Sequence, residues 1–117
     1  YCEEELGFEG RQDDVKQILL SCSLNAATCA LKLEDYSQAA DHGTAAIELD
    51  AGSVKGFFRR GTAKMHLGNF AEAKADLRHA STLDPKSKEV RDAFAECVKR
   101  EKAEKANERA MAAKMFG

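Results

Sequence analysis

The chain has 117 residues, a formal charge of −2, 44% hydrophobic and 32% charged residues and one proline, the composition of a single helix-favouring domain. The charge balance excludes the overall basic excess of a nucleic-acid binder, and apolar runs such as Ile18-Leu19-Leu20 are far short of the roughly 18 residues that a membrane span needs. Tryptophan is absent, so the core must rest on Leu, Ala, Val, Ile and Phe.

In chain order, residues 1–6 read as the end of a helix that Gly7 and Gly10 are expected to break. This piece is expected to close an earlier repeat whose first helix is missing. The chain opens at Tyr1 without an initiator methionine or signal peptide, which suggests a piece of a longer protein. Asp13 and Asp14 place acid at the positive end of a helix dipole and start the next helix. Its apolar positions Val15, Ile18, Leu19, Cys22, Ala26, Cys29 and Leu33 recur at helical spacing. Asp35 is the expected cap of a second helix, with Gln38 three residues on in the capping-box position. That helix carries Ala39, Ala40, Ala46, Ile47 and Leu49 and ends before Gly52. Ser53 caps a third helix over 54–67, which Gly68 stops. Asn69 and Glu72 repeat the cap-plus-acid arrangement for a fourth helix over 70–83. Ser87 caps the last helix, where Val90, Phe94, Cys97 and Val98 form an apolar stripe before the sequence turns charged from Lys99 to Lys105. Ala103, Ala106, Ala110 and Ala113 continue the helical spacing past that point. The ending with Met111, Met115 and Phe116 reads either as a solvated extension or as a protein-binding tail.

One pattern is written twice between Asn25 and Pro85. A shift of 34 positions brings Leu33 onto Leu67, Tyr36 onto Phe70, Ala39 onto Ala73, Ala46 onto Ala80, Leu49 onto Leu83 and Asp50 onto Asp84. Ala27 falls on Gly61, both small enough for two helices to approach closely. Self-similarity at this period is the signature of the tetratricopeptide repeat (TPR), a helix–turn–helix unit. The expected fold class is therefore all-α: TPR helix-turn-helix repeats, an α-solenoid, with a long C-terminal capping helix. The expected organisation is a truncated first repeat and linker over 1–12, repeats over 13–52 and 53–86, and the capping helix with its extension over 87–117. At least three repeats are usually needed to bury a continuous core, so the two complete copies should lean on a cap, a partner or further repeats.

Cys2, Cys22, Cys29 and Cys97 include no C-x-x-C pair, and Cys22 and Cys29 stand about 10 Å apart by helical rise, too far to bridge. They read as free buried thiols suited to a reducing, cytoplasmic setting. His42, His66 and His79 share no metal-ligand spacing, and no nucleophile–base pair or phosphate loop is present. No metal, cofactor or enzymatic activity of this segment is expected. What remains is charge. In stacked hairpins the first helix of each repeat lines the concave face. Lys55 and Arg59, at i and i+4, point the same way there, and Asn25 occupies the repeat position of Arg59. Two cations and an amide facing one groove make an anion site, and a carboxylate is the natural occupant. Two or three such hydrogen bonds, at about 1.5–3 kcal/mol each less ordering costs, suit a short peptide held at roughly micromolar strength. Thr28 and Thr62, which share one repeat position, and Phe58 are candidate groove contacts, with a packing role for Phe58 equally open.

Leu24-Asn25-Ala26-Ala27 and Lys55-Gly56-Phe57-Phe58-Arg59-Arg60-Gly61 resemble the dicarboxylate clamp of chaperone-binding TPR domains. Together with the ending Ala112-Ala113-Lys114-Met115-Phe116, they resemble the C-terminal domain of large FKBP-type immunophilins. The resemblance implies a co-chaperone module that docks the acidic EEVD-type C-terminus of a cytosolic heat-shock chaperone through Asn25, Lys55 and Arg59. It places prolyl isomerase activity in a separate preceding domain. The family draws a further Lys and Asn of its clamp from the first helix of the first repeat, which these residues do not include. It also implies calmodulin binding at the final helix, where Glu101, Glu104 and Glu108 dilute the cations. The competing expectation is a scaffold or self-association module that uses apolar surface, without carboxylate recognition.

Overall fold

The computed structural model describes the backbone of residues 2–116 and the side chains of residues 12–115. Five helices follow one another: α1 (Cys2–Lys32), α2 (Tyr36–Leu49), α3 (Val54–His66), α4 (Phe70–Leu83) and α5 (Lys88–Phe116). The described residues contain no strand. Each pair of consecutive helices packs together, and α3 also lies against α1 and α5, the arrangement of a helical solenoid.

The 34-residue period is visible in the backbone. Moving α2 by 34 positions gives the bounds of α4, and both helices are 14 residues long. The turns repeat as well. Gly68 adopts φ +85° and Glu34, its counterpart one repeat earlier, adopts φ 61°. Asn69 N–H donates to the Lys64 carbonyl at 2.9 Å and Asp35 N–H to the Ala30 carbonyl at 2.8 Å. This is the closure by which a left-handed residue satisfies the last carbonyls of a helix.

Three of the expected caps form their bonds. Asp35 accepts from Gln38 N–H, Ser53 from Gly56 N–H at 3.0 Å, and Ser87 from Val90 N–H at 3.4 Å. Asn69 occupies the cap position of α4 but makes no side-chain capping bond.

Two expectations fail along α1. No break occurs at Gly7 or Gly10, and Asp13 and Asp14 lie inside a helix of 31 residues rather than at its start. A glycine costs about 1 kcal/mol in a helix interior but does not end a helix by itself. No proline follows to enforce a stop. The stripe Val15, Ile18, Leu19 and Leu33 also faces outward, between 49% and 80% exposed. Among the described residues of α1, Ala27 and Ala30 are buried instead. Cys22 and Cys29 belong to the outward side and are exposed, contrary to expectation, whereas Cys97 is buried. The burial of Cys2 lies outside the described side chains.

The core runs as three linked clusters. Ala30, Ala39 and Ala63 meet between α1, α2 and α3, with Tyr36 packed against them. Phe57, Ala80 and Val90 join α3, α4 and α5, and Met65, Ala73, Leu77 and Cys97 continue the same seam. Small residues set the helix spacing. A Cβ on Gly61 would stand 2.9 Å from Leu77 Cγ, so α3 and α4 can come this close only with hydrogen at that position. Arg60 and Asp76 add a polar tie between α3 and α4 through paired bonds of 2.9 and 2.7 Å, and Arg60 reaches Thr44 of α2 at 3.4 Å. Their side chains are only 19% and 8% exposed. Removing one partner from such a shielded pair costs about 3 kcal/mol or more, because the other charge is stranded.

In α5, Val90 and Cys97 are buried and Phe94 and Val98 half-buried, so the apolar stripe covers the last hairpin as expected. Lys74 of α4 holds Glu101 at 2.9 Å. Beyond it, residues 102–115 are all exposed.

Candidate carboxylate-binding site

Lys55 and Arg59 lie on α3, in the stretch that Ser53 starts as a helix. Successive residues are about 100° apart around a helix, which separates these two side chains by only about 40°. Lys55 is exposed and Arg59 half-buried. Asn25 is exposed on α1, the helix that packs beside α3, at the repeat position of Arg59.

The state of Arg59 is the most informative feature. Its Nη1 is shielded from solvent and has no hydrogen-bond partner. Burial pulls the guanidinium below its ordinary pKa, opposed by the charge of Glu89 on α5. A buried donor left unsatisfied costs roughly 1–3 kcal/mol, more when charged, and an incoming acceptor would recover that cost. The adjacent Arg60, to which the sequence reading gave no role, has a different job. Its hydrogen bond to Asp76 raises its pKa despite burial, and it is fully engaged in the fold. Asp76 lies 16 positions away, so the structural role of Arg60 emerges only from the α3–α4 packing.

The three candidate groove contacts are less available. Thr28 donates its hydroxyl to the Leu24 carbonyl at 3.0 Å and Thr62 to the Phe58 carbonyl at 2.8 Å. Neither therefore offers a free proton to a carboxylate. Phe58 is half-buried and packs against the clusters built on Met65–Leu77 and Phe57–Val90, which makes it a core side chain first.

Three surface hollows are lined by other residues. One of about 370 Å³ lies between the start of α4 and the acidic stretch of α5. One of about 450 Å³ lies between α1 and the end of α2. One of about 240 Å³ opens between α4 and α5. Among the described residues, no group of three His, Cys, Asp or Glu side chains could hold a metal ion. Within the same limits, no helix is long and apolar enough to cross a membrane.

Paired helices repeating every 34 residues, small residues at the crossings and a covering helix define a class, and the comparisons agree. Residues 54–87 match the family profile of the tetratricopeptide repeat, and the fold is a stack of TPR helix–turn–helix units closed by a long helix. The chain's particular relatives narrow the class. It is 35% identical over 117 residues to the peptidyl-prolyl cis-trans isomerase FKBP4 of Mus musculus and, at the same identity, to that of Homo sapiens. The match takes in 99% of this chain and 26% of each relative, so the chain spans about a quarter of their length. Among solved structures it resembles the C-terminal TPR-containing domain of an FK506-binding protein from Plasmodium falciparum, with TM-score 0.75 and 36% identity over 83% of this chain and 63% of that one. It also resembles the second TPR domain of human RPAP3, solved in complex with the HSP70 peptide SGPTIEEVD. That match has TM-score 0.65 and 35% identity over 67% of this chain and 65% of that one.

Proposed function

We propose that this chain is a co-chaperone docking module. In this reading it binds the acidic, carboxylate-terminated tail of a cytosolic heat-shock chaperone through Asn25, Lys55 and Arg59. The parent protein is an FKBP-type peptidyl-prolyl isomerase whose catalytic domain is separate, and it works in the cytoplasm. The observation that carries the reading is the shielded, partnerless Nη1 of Arg59, with Lys55 one turn away on the same face of α3. A carboxylate can accept from the guanidinium fork and the ammonium together. The likeness to FK506-binding proteins and to a TPR domain solved with an EEVD-ending peptide supports the same occupant.

The test is a titration with a pentapeptide ending in EEVD and with its C-terminal amide. The free acid should bind at least about tenfold more tightly, the worth of one charge-assisted hydrogen bond. Lys55→Ala should weaken binding, by a margin that narrows as salt is added. Equal affinities for acid and amide would exclude the carboxylate site.

A second reading, self-association, is favoured by the open side of α1. One repeat on, the counterparts of Cys22 and Cys29 are Gly56 and Ala63. Both are buried, Ala63 against Ala30 and Ala39, and a Cβ on Gly56 would stand 3.1 Å from Ile47 of the preceding hairpin. The corresponding surface of α1 is exposed and can accept a second copy. A mass that rises with concentration, with no response to either peptide, would favour this reading over the first. Calmodulin is a further candidate partner for α5, where Met111 and Met115 are 66% and 80% exposed among mixed charges.

A further inference from the structure

Away from Lys55 and Arg59, two arginines from different helices converge on one hollow. Arg78 and Ser81 of α4 and Arg91 and Phe94 of α5 line the space of about 240 Å³ between those helices. The guanidinium carbon of Arg78 lies 5.8 Å from the centre of the Phe94 ring, within cation–π range. The ring, anchored below against Met65, Leu77 and Cys97, gives the hollow a fixed apolar wall.

These two cations differ from the ion-paired ones around them. Arg60, Lys64, Lys74, Arg100 and Lys105 each meet a carboxylate within 4 Å. Among the described residues, Arg78 and Arg91 form no ion pair. Neither can find one along its own helix. The positions three and four residues away hold Lys74, Ala75, Ser81 and Thr82 for Arg78, and Ser87, Lys88, Phe94 and Ala95 for Arg91. Two like charges are thus held at one cleft without compensation, and a dianion with a flat apolar stem relieves both. The hollow is smaller than the roughly 300–1,000 Å³ of a drug-sized site, so it takes one group rather than an extended ligand.

We propose that the α4–α5 cleft is a second anion site, which takes the phosphorylated tyrosine side chain of a partner segment. The ring lies along Phe94, and the phosphate accepts from the guanidinium groups of Arg78 and Arg91, the arrangement by which arginine clusters read phosphate. The site is separate from Lys55 and Arg59 and does not depend on the function proposed for them.

The experiment is an NMR titration of the whole chain, following the Phe94 ring and the arginine Nε–H signals. The probes are phenyl phosphate, phenol, inorganic phosphate and a short phosphotyrosyl peptide. Phenyl phosphate and the peptide should shift these signals saturably, inorganic phosphate should bind more weakly, and phenol should leave them in place. Arg78→Gln and Arg91→Gln should each weaken the peptide by about tenfold or more, one charge-assisted bond apiece, while Lys55→Ala leaves it unchanged. Both arginines are exposed, so these variants keep the fold. The proposal is overturned if the peptide does not shift Phe94, if phenyl phosphate binds and the peptide does not, if the Gln variants bind as well as the parent, or if Lys55→Ala abolishes the effect.

Discussion

Glu34 and Gly68 stand at the same place in successive repeats and solve the same problem at different cost. Both end a helix in the left-handed region, at φ 61° and 85°. Glycine enters that region freely, whereas a residue with a Cβ pays about 1 kcal/mol or more. Glu34→Gly should therefore raise stability by about 0.5–1 kcal/mol, the relief being partly offset by the looser unfolded chain. Urea denaturation of the two proteins checks this, and an unchanged or lower midpoint counts against it. Gly68 as a helix stop was legible in the sequence. The strained partner was not, because glutamate carries no turn signal and only the alignment of the two copies points to it.

At the scale of elements, repeat position decides what a residue type cannot. Cys22 and Cys29 keep helical spacing with Val15, Ile18 and Leu19, and that stripe reads as a buried face. The structure turns it outward and buries Ala27 and Ala30. Hydrophobic spacing tells that a face exists, but not whether another hairpin covers it. Long-range ties are equally hidden. His66 of α3 stacks on Tyr36 of α2 with ring centres 4.3 Å apart, and its Nδ1 lies 3.3 Å from Arg100 Nη1 of α5. Burial first, then the charge of Arg100, lowers the His66 pKa below its ordinary 6.5, with Glu34 and Glu96 opposing. The folded state therefore resists a proton that the unfolded chain accepts. The stabilisation is complete above about pH 6.5 and declines as pH falls through the interval down to the lowered pKa. His66→Asn should flatten the dependence of the melting temperature on pH between about 5.5 and 7.5. Parallel curves for the two proteins would rule out this coupling.

On the scale of the whole molecule, α5 does two things in sequence. Its first half closes the solenoid with Val90, Phe94 and Cys97, and the Lys74–Glu101 pair marks the last anchor. Its second half runs exposed, and with the long α1 it belongs to a molecule of 78 × 28 × 19 Å. Ending the chain after Lys105 should remove helix signal yet leave the unfolding midpoint nearly unchanged, within about 0.5 kcal/mol, since exposed residues outside special features contribute little. A larger loss in thermal unfolding would mean that the extension packs on the hairpins.

The sequence by itself determined the repeat, the order of the helices, most of their caps and the side of α3 that carries Lys55 and Arg59. Each of these follows from local spacing and backbone chemistry. Only the tertiary structure decided that Arg60 is bound to Asp76 while Arg59 keeps a partnerless nitrogen, that the cysteines of α1 face outward, and that Arg78 and Arg91 meet across one cleft. Those outcomes depend on which helices lie side by side, and burial and pairing between residues far apart in the chain arise only when the hairpins stack.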